Sequence, residues 1–310
     1  MKIKILSLFI FSLATPVFAD CGYDLSTPVF NYGVSDTNPT TSGTVTIART
    51  KDNGVPCSNF FLAFTKGWAG NYNRRALNLY NGDLIYYNVY KNNNTTGVLK
   101  EPSDITSTNE VLFGTIAKNQ TIDLTYYFTL APLSASSPPK SGTYLDVIQV
   151  QAFSGTYTNI NGYDGYRDLY VYINVVKFIS LSMVDTGGVY DPASVSKTMD
   201  FGVLQENEQL GFDVRIISNA GYILKASSSN NGILKRVGGT GLKSEIDYDF
   251  YASNTKKNLS SSGGTTLVSA SGKTPAGGAV IPIKVIIKSV DDKDPGTYQD
   301  YITLSVISND

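Results

Sequence analysis

The chain of 310 residues contains no histidine, and that absence removes most common catalytic devices. A serine or cysteine nucleophile normally takes its base from an imidazole, and many zinc sites use at least one. What remains for chemistry is 2 cysteines, 26 acidic residues and 21 tyrosines. Two carboxylates across a cleft could hydrolyse a glycosidic bond, but no motif in the sequence pairs them. Asp291-Asp292-Lys293-Asp294 lacks the ligand spacing of a calcium loop and runs into Pro295-Gly296, so it reads as a solvated turn. Gly238-Gly239-Thr240-Gly241 has no helix behind it to make a phosphate cradle, and also reads as a turn. Asp146 and Asp300 recur in a repeated segment, which favours structural roles over catalysis. The expectation is a protein with no enzymatic activity, no cofactor and no metal.

The two cysteines, Cys21 and Cys57, take their meaning from the start of the chain. Lys2 and Lys4 precede the apolar run Ile5 to Leu13, and Val17-Phe18-Ala19 offers small residues at a cleavage site. This predicts a signal peptide over 1–19. The apolar run is too short to span a bilayer, and no later stretch is long enough, so no transmembrane segment is expected. An exported chain meets oxidising surroundings, where an isolated cysteine pair is expected as one disulfide. Closing that loop is worth about 3–4 kcal/mol in the chain-entropy picture. The formal charge of −1 excludes a sequence-independent nucleic-acid binder, which needs a basic excess.

The elements that must position any site are strands. Thr44–Ile47, Asn59–Phe64, Leu77–Tyr80, Leu84–Tyr90, Ile122–Leu130, Tyr144–Ala152 and Asp168–Val176 alternate or run apolar between Gly, Asn and Ser punctuation. Asn81-Gly82-Asp83 marks a tight hairpin. Further strands are expected at Phe178–Val184, Gly211–Ile217, Tyr222–Ser227, Ile246–Tyr251, Val280–Lys288 and Tyr298–Val306. The pattern predicts an all-β protein of two immunoglobulin-like β-sandwich domains, 20–177 and 178–310.

An internal repeat supports two domains. Gly142-Thr143-Tyr144-Leu145-Asp146-Val147-Ile148 matches Gly296-Thr297-Tyr298-Gln299-Asp300-Tyr301-Ile302, and Tyr87-Asn88-Val89-Tyr90 echoes Tyr248-Asp249-Phe250-Tyr251. The first copy continues into Asp168–Val176. After Leu304 the second has only Ser305 to Asp310. The C-terminal domain is therefore expected to lack its last strand and to expose an edge that another chain can fill.

The Gly-Thr-Tyr-x-Asp-x-Ile strand near the C-terminus resembles the penultimate strand of chaperone–usher pilus subunits. With Cys57 before Asn59-Phe60-Phe61-Leu62, Arg74-Arg75-Ala76-Leu77 and Asp200-Phe201-Gly202, the chain resembles the spore coat protein U family, subunits of archaic, Csu-type pili. Its second domain departs from the family in having no cysteine pair. The resemblance implies a periplasmic chaperone, an outer-membrane usher and a donor strand from the next pilus subunit as partners. It puts the acceptor edge at Tyr298, Ile302, Leu304 and Val306. With Cys21 the second residue of the expected mature chain, no donor extension is expected, which implies a two-domain tip adhesin at the surface end of the fimbrium. The alternatives are a non-adhesive fimbrial or coat subunit and a secreted carbohydrate-binding or carbohydrate-active protein.

An adhesin needs a surface for its host or surface ligand. The Gly-, Asn- and Tyr-rich segment Phe153–Tyr166 is expected as a loop at the far pole of the first domain, with Tyr157, Asn159, Tyr163 and Tyr166 as ligand-binding candidates. Trp68, between glycines, is either an exposed anchor or a ring folded onto the core.

Overall fold

The computed structural model describes residues 21–33, 40–51, 56–133, 138–259 and 263–309. The expected signal peptide lies outside them. No helix among the described residues is long and apolar enough to cross a membrane. The chain forms two compact units. The first comprises residues up to Ala131 with Tyr144–Ile173, and the second comprises Pro132–Thr143 with Asn174–Asp310. The division after Ile173 falls close to the expected boundary at Lys177, whereas Pro132–Thr143, read as part of the first domain, clusters with the second unit.

The first unit contains β1 (Tyr23–Ser26), β2 (Phe30–Gly33), β3 (Thr41–Arg49), β4 (Asn59–Phe64), β5 (Arg74–Asn78), β6 (Leu84–Tyr90), β7 (Leu112–Thr115), β8 (Thr121–Leu130), β9 (Gly142–Thr156) and β10 (Asn159–Val175). The strands run β1-β3-β8-β6-β5-β9-β10-β2, with β4 between β7 and the far half of β9. β9 serves two neighbours in turn: Tyr144 and Leu145 pair with β5, and Val150–Ser154 pair with β4. Period-2 alternation sends Tyr144, Ile148 and Val150 inward, all at 0 % exposure. The core is largely aromatic. Phe128 packs against Phe30, Tyr32 and Tyr87 with ring centroids 4.5–5.7 Å apart, and Tyr126 lies 5.9 Å from Phe64. Cys21 and Cys57 form the expected disulfide, closing a loop of 36 residues' separation and tying the start of β1 to the segment before β4.

Arg74 is sealed in this core, at 0 % exposure. Its guanidinium donates to the carbonyls of Thr65 at 2.9 and 3.0 Å, of Leu99 at 2.7 Å and of Phe64 at 3.4 Å. It thereby ties β5 to the chain on either side of it, and among the described residues it has no carboxylate as a direct partner.

The second unit contains β11 (Ile179–Val184), β12 (Gln209–Ser218), β13 (Tyr222–Ser228), β14 (Ile233–Arg236), β15 (Glu245–Ala252), β16 (Thr255–Lys257), β17 (Thr265–Ala270), β18 (Ala279–Ile287), β19 (Tyr298–Gln299) and β20 (Ile302–Ser308). One sheet runs β11-β12-β18-β15-β14-β19, with β16 on β15, and a second runs β17-β13-β20. Their facing sides bury Val214, Ile216, Leu224, Phe250, Ile283 and Ile287 in one core. The single strand expected over Tyr298–Val306 is two strands in different sheets. Tyr298 on β19 pairs with Arg236 of β14, while β20 pairs with β13. The switch falls at Asp300-Tyr301.

Candidate functional site

The repeated motifs build the same hydrogen-bonded device in both units. In the first, Asp146 is fully buried and accepts from the Tyr87 hydroxyl at 2.6 Å, the Trp68 backbone N–H at 2.9 Å and the Val147 N–H at 2.8 Å. Gly67 sits against this carboxylate at φ +64°, where a Cβ would lie 2.5 Å from Asp146 Oδ2. In the second, Asp300 accepts from the Tyr248 hydroxyl at 2.6 Å and the Tyr301 N–H at 2.8 Å. It also takes the Ser228 and Ser229 hydroxyls and the Asn230 N–H. Burial raises the Asp146 carboxyl above its usual range, against the pull of its hydrogen bonds. The same burial, reinforced by the adjacent carboxylate, pushes the Tyr87 hydroxyl well up. These are positioning groups: neither aspartate has a second carboxylate beside it. No cluster able to hold a metal ion occurs among the described residues.

The units differ at the strand that follows this device. β9 lies between β5 and β10 and its inward residues are sealed. β20 pairs with β13 on one side, and among the described residues its other edge has no ladder partner. Its Ile302, Leu304 and Val306 remain only half-buried against the core. β11 passes beside that edge, among the described residues paired with β12 alone, and brings Ile179, Leu181 and Met183 to the same core. Six alternating aliphatic positions therefore flank one apolar groove between two unpaired edges. Sequence reasoning reached the β20 side. The β11 side was legible in the alternation of Ile179, Leu181 and Met183, although nothing local marks a strand as half of a groove. Tyr298 takes no part in this edge; its hydroxyl donates to the carbonyls of Lys243 and Asp294.

The expected binding residues do not converge. Phe153–Tyr166 is not a loop but a continuation of β9 and β10 around a turn at Tyr157-Thr158. Gly155, at φ +95°, lets the pair stay closed where a Cβ would lie 2.4 Å from the Asn159 carbonyl. Tyr157 and Tyr163 are partly buried over Phe61, Val111 and Phe153, with the Tyr163 ring 5.2 Å from Phe153. Burial raises the Tyr163 hydroxyl. Asn159 is exposed beside the turn. Tyr166 is 49 % exposed near the middle of β10 and lines a shallow concavity with Gly165, Arg167 and Asp168. Trp68 is also 49 % exposed rather than folded onto the core. Its backbone is held by Asp146, eleven residues before the Tyr157 turn, which is roughly 36 Å of chain along β9 at ~3.3 Å per residue. Leu79 and Tyr80, expected in a strand over Leu77–Tyr80, lie past the end of β5 at the tip of the β5–β6 hairpin and are exposed.

Two sandwich units, each with a Tyr–Asp clasp and the second with a strand edge that has no ladder partner among the described residues, define an all-β, immunoglobulin-like architecture. Residues 8–151 match the family model described as the Spore Coat Protein U domain. No curated relative matches the sequence. Similar solved structures include the CsuC–CsuE chaperone–tip adhesion subunit pre-assembly complex from archaic chaperone–usher Csu pili of Acinetobacter baumannii, at 14 % identity over 91 % of this chain and 99 % of that one, TM-score 0.40. CfaE, the adhesive subunit of the CFA/I fimbria of enterotoxigenic Escherichia coli, is similar at 9 % identity over 92 % and 94 %, TM-score 0.43. The CssB subunit of the enterotoxigenic Escherichia coli colonization factor CS6, complemented with a donor strand from CssA, is similar at 16 % identity over 49 % of this chain and 97 % of that one, TM-score 0.29.

Proposed function

We propose that the chain is the tip adhesin subunit of a chaperone–usher pilus, carried to the cell surface through the periplasm. The observation behind this reading is the groove between β11 and β20. A strand with apolar residues at every second position would pair with a free edge, cover Ile302, Leu304 and Val306, and complete the second sandwich. In the periplasm that strand would come from a chaperone, and at the usher from the next subunit. The first unit needs no such help, because β10 already occupies the corresponding place beside β9. From Cys21 onward the N-terminal segment is engaged in its own unit through the disulfide and the β1–β3 pairing, which favours a subunit that accepts a strand without donating one. The adhesive surface would then belong to the first unit, with Tyr166 and Trp68 its most exposed candidate aromatics.

The test is assembly and attachment in piliated cells. Leu304→Arg places a charge in the groove and is expected to abolish recovery of the chain in chaperone complexes and in fibres. Immunogold labelling of the wild-type chain should mark fibre ends, and cells lacking it should attach poorly. Labelling along the whole shaft would instead identify a structural subunit. Normal fibre incorporation of Leu304→Arg would refute the groove as the acceptor.

A further inference from the structure

The connection between β11 and β12, residues 185–208, carries no strand or helix. Connections past about 15 residues without such elements are uncommon and are usually functional. This one is tied down along its course around the free edge of β11. Gly187 donates its N–H to Asp213 Oδ2 at 2.8 Å, and Gly188 packs so closely that a Cβ there would lie 3.0 Å from the Val184 Cβ. The chain thereby turns back over the outward face of β11, the face of Ser180, Ser182 and Val184. Tyr190 donates its hydroxyl to Ser180 Oγ at 2.5 Å, and the Asp191 N–H donates to Ser182 Oγ at 3.4 Å. At the edge itself Ser194 engages Met183 twice. Its carbonyl accepts from the Met183 N–H at 2.7 Å, and its hydroxyl donates to the Met183 carbonyl at 2.5 Å. Beyond Lys197, which pairs with Asp185, Met199, Phe201 and Leu204 pack against the same core as Ile179, Leu181 and Met183. The segment is a strap that wraps β11 from its outward face, past its edge, to the core.

The registers fix the end of the groove at which this strap stands. Ile179 pairs with Ser218, Tyr222 pairs with Ser308, and only residues 219–221 separate Ser218 from Tyr222. Ile179 and Ser308 therefore share one end of the groove, and Met183 and Ile302 lie toward the other. In an antiparallel ladder alternate residues turn both backbone polar groups to one edge, so Ile179 and Leu181 share the edge on which Met183 is already taken. A strand added to that edge has Ile179 and Leu181 to pair with and meets Ser194 at Met183.

We infer that residues 190–204 are an end-stop for the incoming strand, closing the groove at the end of Met183 and Ile302 and so fixing the partner's register and length. The occupant this fits is an extended segment of another chain, about as long as the 7 residues of β20, with apolar side chains at every second position. A longer apolar run is blocked at the strap, so the stop discriminates between strands that alternate equally well. The inference rests on the reading of the groove as a strand acceptor. The probe is the full chain carrying, after Asp310 and an Asn-Gly turn, an appended strand of alternating valine and threonine, made in steps from roughly three to eleven residues. Such a strand starts at the Ser308 end and runs toward the strap. Each valine that reaches the core should raise the folding equilibrium of the second unit about tenfold in urea unfolding. The gain should continue to about the length of β20 and then stop. Amide exchange at Met183 should stay slow at every length, and trypsin should cut at Lys197 no faster than in the unextended chain. Tyr190→Phe combined with Ser194→Ala removes two side-chain ties of the strap and should move the plateau to longer strands. Continued gain past the length of β20 in the chain without those substitutions, with faster cleavage at Lys197, would overturn the end-stop and leave the acceptor groove standing. A plateau that the double substitution leaves in place would overturn it as well. No gain at any length would sink the acceptor reading, and this inference with it.

Discussion

Tyr87→Phe removes one hydroxyl and nothing else, and the twin substitution Tyr248→Phe supplies its own control. In the first unit the buried Asp146 loses one of three donors and keeps only two backbone N–H groups. A hydrogen bond to a buried charge is worth about 1.5–3 kcal/mol, so Tyr87→Phe is expected to cost roughly 2–3 kcal/mol at neutral pH. In the second unit Asp300 is only partly buried and keeps two serine hydroxyls and two backbone N–H groups. Tyr248→Phe is therefore expected to cost about 1 kcal/mol or less. The pH dependence follows from the direction of the Asp146 shift. Burial raises its folded-state pKa, so the folded unit takes up a proton before the unfolded chain does. Stability gained by that uptake appears as the pH falls through the folded value towards about 3.9. Removing the Tyr87 hydroxyl raises the folded value further, so the Tyr87→Phe deficit should shrink between pH 7 and pH 4. Urea unfolding of the full chain at several pH values, followed unit by unit with amide hydrogen exchange, reads all of this. Equal costs in the two twins, or a Tyr87 deficit that grows towards pH 4, would refute the clasp as described.

Arg74→Met should destabilise the first unit by at least about 3 kcal/mol, because several inward carbonyls lose their donor together, while Arg75→Gln should change the same urea midpoint by less than about 0.5 kcal/mol. Replacing both Cys21 and Cys57 with serine should lower the stability of the first unit by about 4 kcal/mol, and reduction of the wild-type chain should reproduce that loss in a thermal melt.

Local alternation made most strands legible. Asn59–Phe64 and Leu84–Tyr90 coincide with β4 and β6, and Asp168–Val176 lies almost wholly within β10. The duplicated Gly-Thr-Tyr-x-Asp motif was legible as a repeat, and its echo Tyr87/Tyr248 turns out to be its bonding partner. What failed was non-local or conformational. Gly155 and Gly165 look like loop residues, yet positive φ lets them continue a twisted ladder, so a binding loop was expected where a hairpin runs. Tyr298 was expected beside Ile302 because alternation cannot register a change of sheet between them. β14, β16 and β17 are short or polar, and their pairing depends on neighbours far away in sequence.

The 17 residues of β10 run between β9 and β2, and three residues after its end the chain enters β11. A pull applied along β10 from its C-terminal end loads the first unit along the axis of an inner strand. Drawing β10 out would load its hydrogen bonds to β9 side by side, together with those to β2 where that short strand lies alongside. A pull across the strands would instead open them one after another. Bonds that share a shearing load resist far more than bonds that unzip, and survival under pulling is set by how slowly such a barrier is crossed. The tyrosines of β10, Tyr166, Tyr170 and Tyr172, ride on the strand that carries the load. A grip made through them would pass force along the backbone of β10 itself, without asking the aromatic core to transmit it.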